Sequence, residues 1–133
     1  MDDALTVVRR FVDEFQTLGK ENIAKELLAP DFTDHTPFPG FGGGRDEVIR
    51  LFSVLRTAFP DLRMAIDEQF VNGDMVATRK TFHGTHLGEF LGARATGKKV
   101  KIRVVDFVRV KNGKMCEHWN VVDLATLISQ LQS

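Results

Sequence analysis

The chain has 133 residues, a length typical of one domain that buries its own hydrophobic core. Its 18 basic and 18 acidic residues give a formal net charge of +0, so we expect no nucleic-acid partner, and near-zero charge favours self-association. The single cysteine excludes an internal disulfide, and the sequence shows neither an apolar run long enough to span a membrane nor a basic leader; we therefore expect a cytoplasmic protein.

The first eighteen residues carry the periodicity of an amphipathic helix. Apolar residues recur at three- and four-residue spacing and predict a helix from about Ala4 to Leu18. Asp2 or Asp3 can accept the first backbone N–H groups of this helix as its N-cap. Gly19 is expected to end the helix, because glycine readily adopts the left-handed conformation of a C-cap.

Two more helices follow, separated by a long loop. The stretch ENIAKELLA predicts a short helix that stops at Pro30, and the pattern from about Arg45 to Phe59 predicts a longer one that Pro60 closes. Between them, DFTDHTPFPGFGGGRDE is rich in proline and glycine, which is typical of a loop. We expect a brief extended piece around Phe32 to Thr36 at its start.

After Pro60 the apolar period changes to two, which is typical of β-strands separated by turns. A final helical turn or two is expected in LATLISQL. Helices first and antiparallel strands afterwards predict an α+β fold, in which three N-terminal helices wrap a curved antiparallel or mixed sheet as a single domain over residues 1–133. Such a cone is concave and could hold a small apolar molecule. Strands are expected at about Leu62–Val71, Met75–His86, Lys99–Lys111 and Lys114–Val122.

The register of the last hairpin decides which side chains share a face. A two-residue turn at Asn112-Gly113 would place Asp106 opposite Trp119, whereas a three-residue loop would place it opposite His118. We choose the second register because it gathers Asp106, His118 and Asn120 on one otherwise apolar face. The other face then fits solvent or a homodimer contact, because it mixes charges of both signs with four large apolar residues. These are Phe107, Met115, Trp119 and Val121.

Three stretches carry a family resemblance: FTDHTPFPG (Phe32–Gly40), GDMVATRKTFHGTHLGEFLGARATGKKV (Gly73–Val100) and VDFVRVKNGKMCEHWNVVDLATLISQL (Val105–Leu131). In these the chain resembles the SnoaL-like polyketide cyclases, or ester cyclases, of the nuclear transport factor two-like (cystatin-like), ketosteroid isomerase-like superfamily. The resemblance implies an α+β cone, usually homodimeric through the outer sheet face. It also implies intramolecular aldol closure of polyketide esters without metal or cofactor. Relatives of this fold isomerise ketosteroids or hydrolyse epoxides.

The resemblance assigns roles to three residues of the hairpin. Asp106 matches the position where ketosteroid isomerases keep a pocket acid, and Asn120 the position where cyclases and epoxide hydrolases place a catalytic Asp. Because Asn cannot take up a proton, the base would be Asp106 or a histidine. Burial is expected to raise the pKa of Asp106 toward the range useful for proton transfer, and His118 would exchange protons beside it. The alternatives are a structural buried acid, a histidine in the cavity wall, and an amide that only fills space.

Five further residues are candidates for substrate binding. His35 and Phe38 belong to the loop that enters the predicted pocket, and His83 and His86 lie at the end of a predicted strand. Trp119 offers an aromatic surface, although Trp and Phe residues are more often core or dimer contacts, and His83 and His86 are more often structural at such a rim. The four histidines and one cysteine match no zinc-site spacing, so we expect neither a metal nor another cofactor.

The sequence therefore predicts a cofactor-independent enzyme of the cyclase or isomerase type. Asp106 and His118 would perform acid–base catalysis on a small apolar carbonyl compound, such as a polyketide ester. One alternative is a non-catalytic dimeric module that binds an apolar ligand, which the amide of Asn120 favours. Another is an epoxide hydrolase, which would require an activated water and more carboxylates.

Overall fold

The computed structural model describes residues 3–132 and has an α+β architecture, as predicted. Four α-helices and one π-helix pack with a five-stranded, open, mixed sheet. The helices are α1 (Ala4–Arg10), which continues into the π-helix Phe11–Thr17, α2 (Glu21–Leu27), α3 (Arg45–Ala58) and α4 (Leu124–Gln132). The strands are β1 (Leu28–Asp34), β2 (Arg63–Asn72), β3 (Met75–Thr85), β4 (Lys99–Lys111) and β5 (Lys114–Val122). No helix within residues 3–132 is long and apolar enough to cross a membrane.

The N-terminal helix changes its type halfway. Asp3 caps α1 by accepting a 2.8 Å hydrogen bond from the Thr6 backbone N–H, while the other predicted cap, Asp2, lies outside the described residues. The prediction of one continuous α-helix is wrong beyond residue 10, because the wider π-helix follows. That wider turn rotates the residues after it relative to an α-helix. Leu18, predicted to be part of the apolar stripe, is 63% exposed.

The predicted second helix is two residues too long, and the strand after it begins four residues earlier than predicted. Leu28 and Ala29 belong to β1, which pairs in parallel with β5 at the edge of the sheet. Local propensity cannot anticipate this pairing, because β5 lies more than eighty residues further along the chain. The pairing has a consequence for the site, since it brings Asp34 beside His118.

The sheet has the order β1-β5-β4-β3-β2, and its inner face is the one that the helices cover. Alternation along β4 is strict, with every even-numbered residue from 100 to 110 buried. The same face of β3 carries Val76, Thr78, Lys80 and Phe82, all of which are buried. Two of these ten inward positions on β3 and β4 hold charged residues, Lys80 and Asp106.

The last hairpin has a different register from the predicted one but presents the same face. Lys111 pairs with Lys114 across a two-residue turn, whose Asn112 and Gly113 both have positive φ, as a type I′ turn requires. A β-bulge then leaves Cys116 without a partner on β4.

Beyond this bulge the pairing is shifted by one more residue, so Asp106 lies opposite Asn120, and His118 opposite Val108. The predicted Asp106–His118 pairing is therefore wrong by two residues. An even shift preserves the face, and Asp106, His118 and Asn120 all point inward as expected. Met115, which precedes the bulge, also points inward, contrary to the prediction.

Candidate functional site

A cavity of about 280 Å³ lies between the inner face of the sheet and the helices. This is close to the lower end of the range of roughly 300–1,000 Å³ for small-molecule sites. Its wall is mostly apolar, built from the residues of α1, the π-helix, α3, α4 and the sheet. The polar side chains that line it are Gln16, Asp34, Thr36, Glu47, Lys80, Asp106, His118 and Asn120.

A diagonal of four charged side chains crosses the sheet along this wall, and we call it the inner diagonal: Lys80, Asp106, His118 and Asp34. Lys80 Nζ lies 2.5 Å from Asp106 Oδ2. His118 Nε2 lies 2.6 Å from Asp106 Oδ1, and His118 Nδ1 lies 3.1 Å from Asp34 Oδ1. Each member is on a different strand, in the order β3, β4, β5 and β1. Their charges alternate and sum to zero when His118 is protonated.

Asp106 lies in the middle of this diagonal, and each of its two carboxylate oxygens contacts a cationic side chain of the protein. Burial by itself raises the pKa of Asp106, but the positive charge of Lys80 and the hydrogen bond from His118 outweigh burial and hold the pKa well below its usual range. The predicted upward shift is therefore wrong, because the prediction lacked Lys80. Asp106 is a permanent anion, and its two oxygens are bonded to different partners.

His118 is held as an imidazolium. Burial by itself lowers the pKa of His118, but hydrogen bonds to Asp106 and Asp34 outweigh it and raise the pKa to about 9. The geometry agrees, because each ring nitrogen faces a carboxylate oxygen and must donate a proton to it. At neutral pH, His118 is therefore cationic.

Asp34 differs from Asp106 in having an oxygen available to the cavity. Burial by itself raises the pKa of Asp34, but the hydrogen bond and positive charge of His118, together with the hydrogen bonds from Thr36, outweigh burial, so the net shift is downward. The bonds from His118 Nδ1 and from the Thr36 backbone N–H both end on Oδ1. Among residues 3–132, no side chain or backbone group donates a hydrogen bond to Oδ2. Asp34 can therefore exchange a proton with a ligand.

Asn120 presents its amide nitrogen to the same region. The Asn120 backbone N–H donates to Thr36 Oγ1 at 2.7 Å, so the hydroxyl proton is free to donate to Asn120 Oδ1 at 2.8 Å. This bond fixes the carboxamide with its oxygen toward Thr36. The Nδ2 group, without a partner among the described residues, is left to donate to a carbonyl oxygen in the cavity.

Phe38 is the one loop residue predicted for ligand binding that lines the cavity. It packs against Phe41 and Phe90, with ring centroids 6.3 Å and 5.9 Å away. The segment around it is attached to α3, since Glu47 accepts a hydrogen bond from the Gly42 N–H and Arg50 lies over the Phe41 ring at 4.1 Å. This segment closes one side of the cavity.

The other four predicted ligand-binding residues do not line the cavity. His35 and Trp119 stack on the outer side of the sheet, with ring centroids 4.6 Å apart, and His35 also bonds to Glu117. His83 is on the outer face between Arg63 and Lys101, and burial together with these two cations lowers its pKa. His86 is fully buried, and its Nδ1 accepts from the Thr96 N–H. These positions do not support the predicted binding roles.

Sequence reasoning missed three residues of the site: Gln16, Asp34 and Lys80. Lys80 carried a usable signal, because it falls in phase with Val76 and Phe82 on the buried face of β3. Asp34 was hidden by the unrecognised pairing of β1 with β5. Gln16 lies in the π-helix, whose occurrence the apolar pattern did not indicate. No group of three or more His, Cys, Asp or Glu within residues 3–132 is arranged to hold a metal ion.

Comparison with known proteins shows the family of the chain. The family model for the SnoaL-like polyketide cyclases matches residues 6–131. The chain belongs to this family. The aklanonic acid methyl ester cyclase DnrD of Streptomyces peucetius is 25% identical, over 98% of this chain and 92% of its own length. The corresponding cyclase DauD of Streptomyces sp. strain C5 is 24% identical, over 98% of this chain and 83% of its own length.

Solved structures of two candidate polyketide cyclases share the fold. IdmH of Streptomyces antibioticus, described as a candidate polyketide cyclase, is 27% identical, with a TM-score of 0.87 and coverage of 99% of this chain and 100% of its own. A candidate polyketide cyclase of Bacillus cereus is 29% identical, with a TM-score of 0.85 and coverage of 97% and 80%. The family supports an enzyme of the cyclase or isomerase type.

Proposed function

We propose that this chain is a cofactor-independent cyclase that closes a ring in a small apolar carbonyl compound by intramolecular aldol addition. The observation that carries the proposal is the Asp34 carboxylate on the wall of an apolar cavity, with Oδ1 held by His118 and Oδ2 free. Held beside a bound substrate, this oxygen can take a proton from a carbon next to a carbonyl. Its position supports this role, not its basicity, because the contact with His118 lowers the pKa of Asp34.

The reaction balances without any external reagent. Asp34 Oδ2 accepts the proton of the α-carbon, and the resulting enolate carbon forms a bond to a second carbonyl carbon of the same molecule. That carbonyl oxygen becomes an alkoxide and takes the proton back from Asp34. The product is an isomer of the substrate. Asn120 Nδ2 would donate to one carbonyl oxygen, and His118, which Asp106 holds in place, would fix the orientation of Asp34.

This assignment moves the predicted base from Asp106 to Asp34. Asp106 retains a positioning role, since both of its oxygens are bonded within the protein. The aklanonic acid methyl ester named for DnrD and DauD is the first substrate to test, because those cyclases span nearly all of this chain. Ring closure would give a product of the same mass with a different chromatographic retention.

The decisive variant is Asp34→Asn, with Asp31→Asn as its control. Asp31 is on the same strand but exposed, so its replacement is the same chemical change outside the cavity. We expect Asp34→Asn to lower turnover by about 10²–10⁴-fold, as is typical of a lost acid or base, and Asp31→Asn to leave it unchanged. Full turnover in Asp34→Asn would exclude Asp34 as the base.

A second candidate function is binding without catalysis, and Asn120 favours it because an amide replaces the acid implied at this position by the family resemblance. The two functions are separated by incubating the protein with a bound ester and analysing the extract by mass spectrometry and chromatography. A ligand that binds to the cavity and is recovered unchanged, with Asn120→Asp equally inactive, would indicate a carrier of apolar molecules.

A further inference from the structure

Lys80 and Gln16 are two buried polar residues that the proposed acid–base chemistry does not use. Lys80 is 4% exposed and Gln16 is 7% exposed, and both line the cavity. Their side chains are hydrogen-bonded to each other in the cavity wall, since Lys80 Nζ donates to Gln16 Oε1 at 3.0 Å. Burying an ammonium group and an amide together is costly unless their hydrogen-bonding groups are satisfied.

The Lys80 ammonium has one donor more than the protein uses. It carries three N–H groups, of which one faces Asp106 Oδ2 and another Gln16 Oε1. Within residues 3–132 the third has no acceptor. An ammonium that lines an apolar cavity with a free N–H is suited to bind an oxygen of negative charge.

The orientation of the Gln16 amide follows from its partner. Because an ammonium group can only donate, the atom that faces Lys80 must be the amide oxygen. The amide nitrogen Nε2 therefore points elsewhere, and it has no acceptor among the described residues. Gln16 lines the cavity, so this second donor is also available to a ligand.

We propose that Lys80 Nζ and Gln16 Nε2 form a donor pair that binds the oxyanion of an enolate or phenolate in the cavity. The inference rests on the proposed function, for which it names the ligand class: apolar molecules with an acidic enol or phenol. Proton removal by Asp34 would then leave the total charge of the cavity unchanged, because the negative charge moves from Asp34 to the ligand oxygen beside Lys80.

The probe is 4-nitrophenol, whose anion is coloured, so absorbance reports the ionised fraction of the bound molecule without any turnover. We expect the wild-type protein to bind the anion. Gln16→Glu keeps a partner for Lys80 but replaces the amide donor with a negative charge, and Gln16→Leu removes the donor. Each should weaken binding of the anion by about tenfold or more, as is typical of a lost hydrogen bond to a charged group.

The matched control is Asn22→Asp, which makes the same change of charge as Gln16→Glu at an exposed position. It should bind the anion as the wild type does. Lys80→Met would remove one of the two cations that neutralise the buried Asp106, so the Gln16 variants carry the test. A wild-type protein that binds no phenol or only neutral phenol, or Gln16 variants that bind the anion normally, would overturn the inference. The proposed function would survive that result if turnover still depended on Asp34.

Discussion

Opposite faces of the same strands carry two charge networks of similar composition. The inner diagonal joins Lys80, Asp106, His118 and Asp34, whose side chains are 4%, 5%, 17% and 11% exposed. The outer network joins Asp74, Arg109, Glu117 and His35, whose side chains are 39%, 30%, 34% and 39% exposed.

Each network links one lysine or arginine, two carboxylates and a histidine, but only the inner network is shielded from water. Exposed ion pairs contribute little to stability because water and salt screen them. Buried pairs are expensive to break, because the remaining charge stays in a medium that solvates it poorly. In the inner diagonal the two buried carboxylates of Asp106 and Asp34 hold His118 as a cation, although burial by itself would favour the neutral ring.

Asp106→Asn tests the cost of breaking the inner network. It leaves the buried Lys80 without its counter-charge, and we expect a loss of about 3–5 kcal/mol in the free energy of unfolding, measured with denaturant. The outer counterpart is Glu117→Gln, which removes the shared acid of Arg109 and His35. Its effect should be small and should fade with added salt. Equal losses in the two variants would refute the distinction between the faces.

The raised pKa of His118 predicts a decline in stability at alkaline pH. Its folded-state pKa of about 9 lies above the reference value of 6.5, so the stabilisation is complete below about pH 6.5 and is lost as pH rises through 9. At 1.36 kcal/mol per unit of pKa, the change is roughly 3 kcal/mol. Unfolding measured from pH 6 to 10 should show this slope, and His118→Gln should flatten it. An identical slope in the variant would assign it to another group.

The smallest effect on the fold is expected at the outer face, which we propose as the contact of a homodimer. Phe107 is 47% exposed and Val121 is 73% exposed on this face. Contact with a second copy of the chain would remove this apolar surface from water. Val121→Lys should give a monomer in light scattering without changing ligand binding to the cavity. The control is Leu18→Lys, a 63% exposed position in the connection after the π-helix. A wild-type monomer at micromolar concentration would contradict the proposal.

Much of the fold follows from periodicity. The change to alternation after Pro60 locates β2 to β5 within one or two residues, because one face of each strand must be buried. The helix boundaries around β1 were not predictable in this way, since Leu28 and Ala29 follow a helical pattern but pair with a distant strand. The hairpin illustrates both cases: the inward face of Asp106 was predicted, while its partner was not.

From the sequence alone, the more apolar of two possible registers puts an acid, an imidazole and an amide on the buried face of β4 and β5, since they alternate there with valine and isoleucine. The protonation state of each group follows only from contacts between strands. The sign of a buried group's pKa shift depends on whether a neighbouring charge outweighs desolvation, and that depends on distances across strands. Lys80 and Asp34 supply these charges from β3 and β1: Lys80 keeps Asp106 an anion, and Asp34 together with Asp106 keeps His118 a cation.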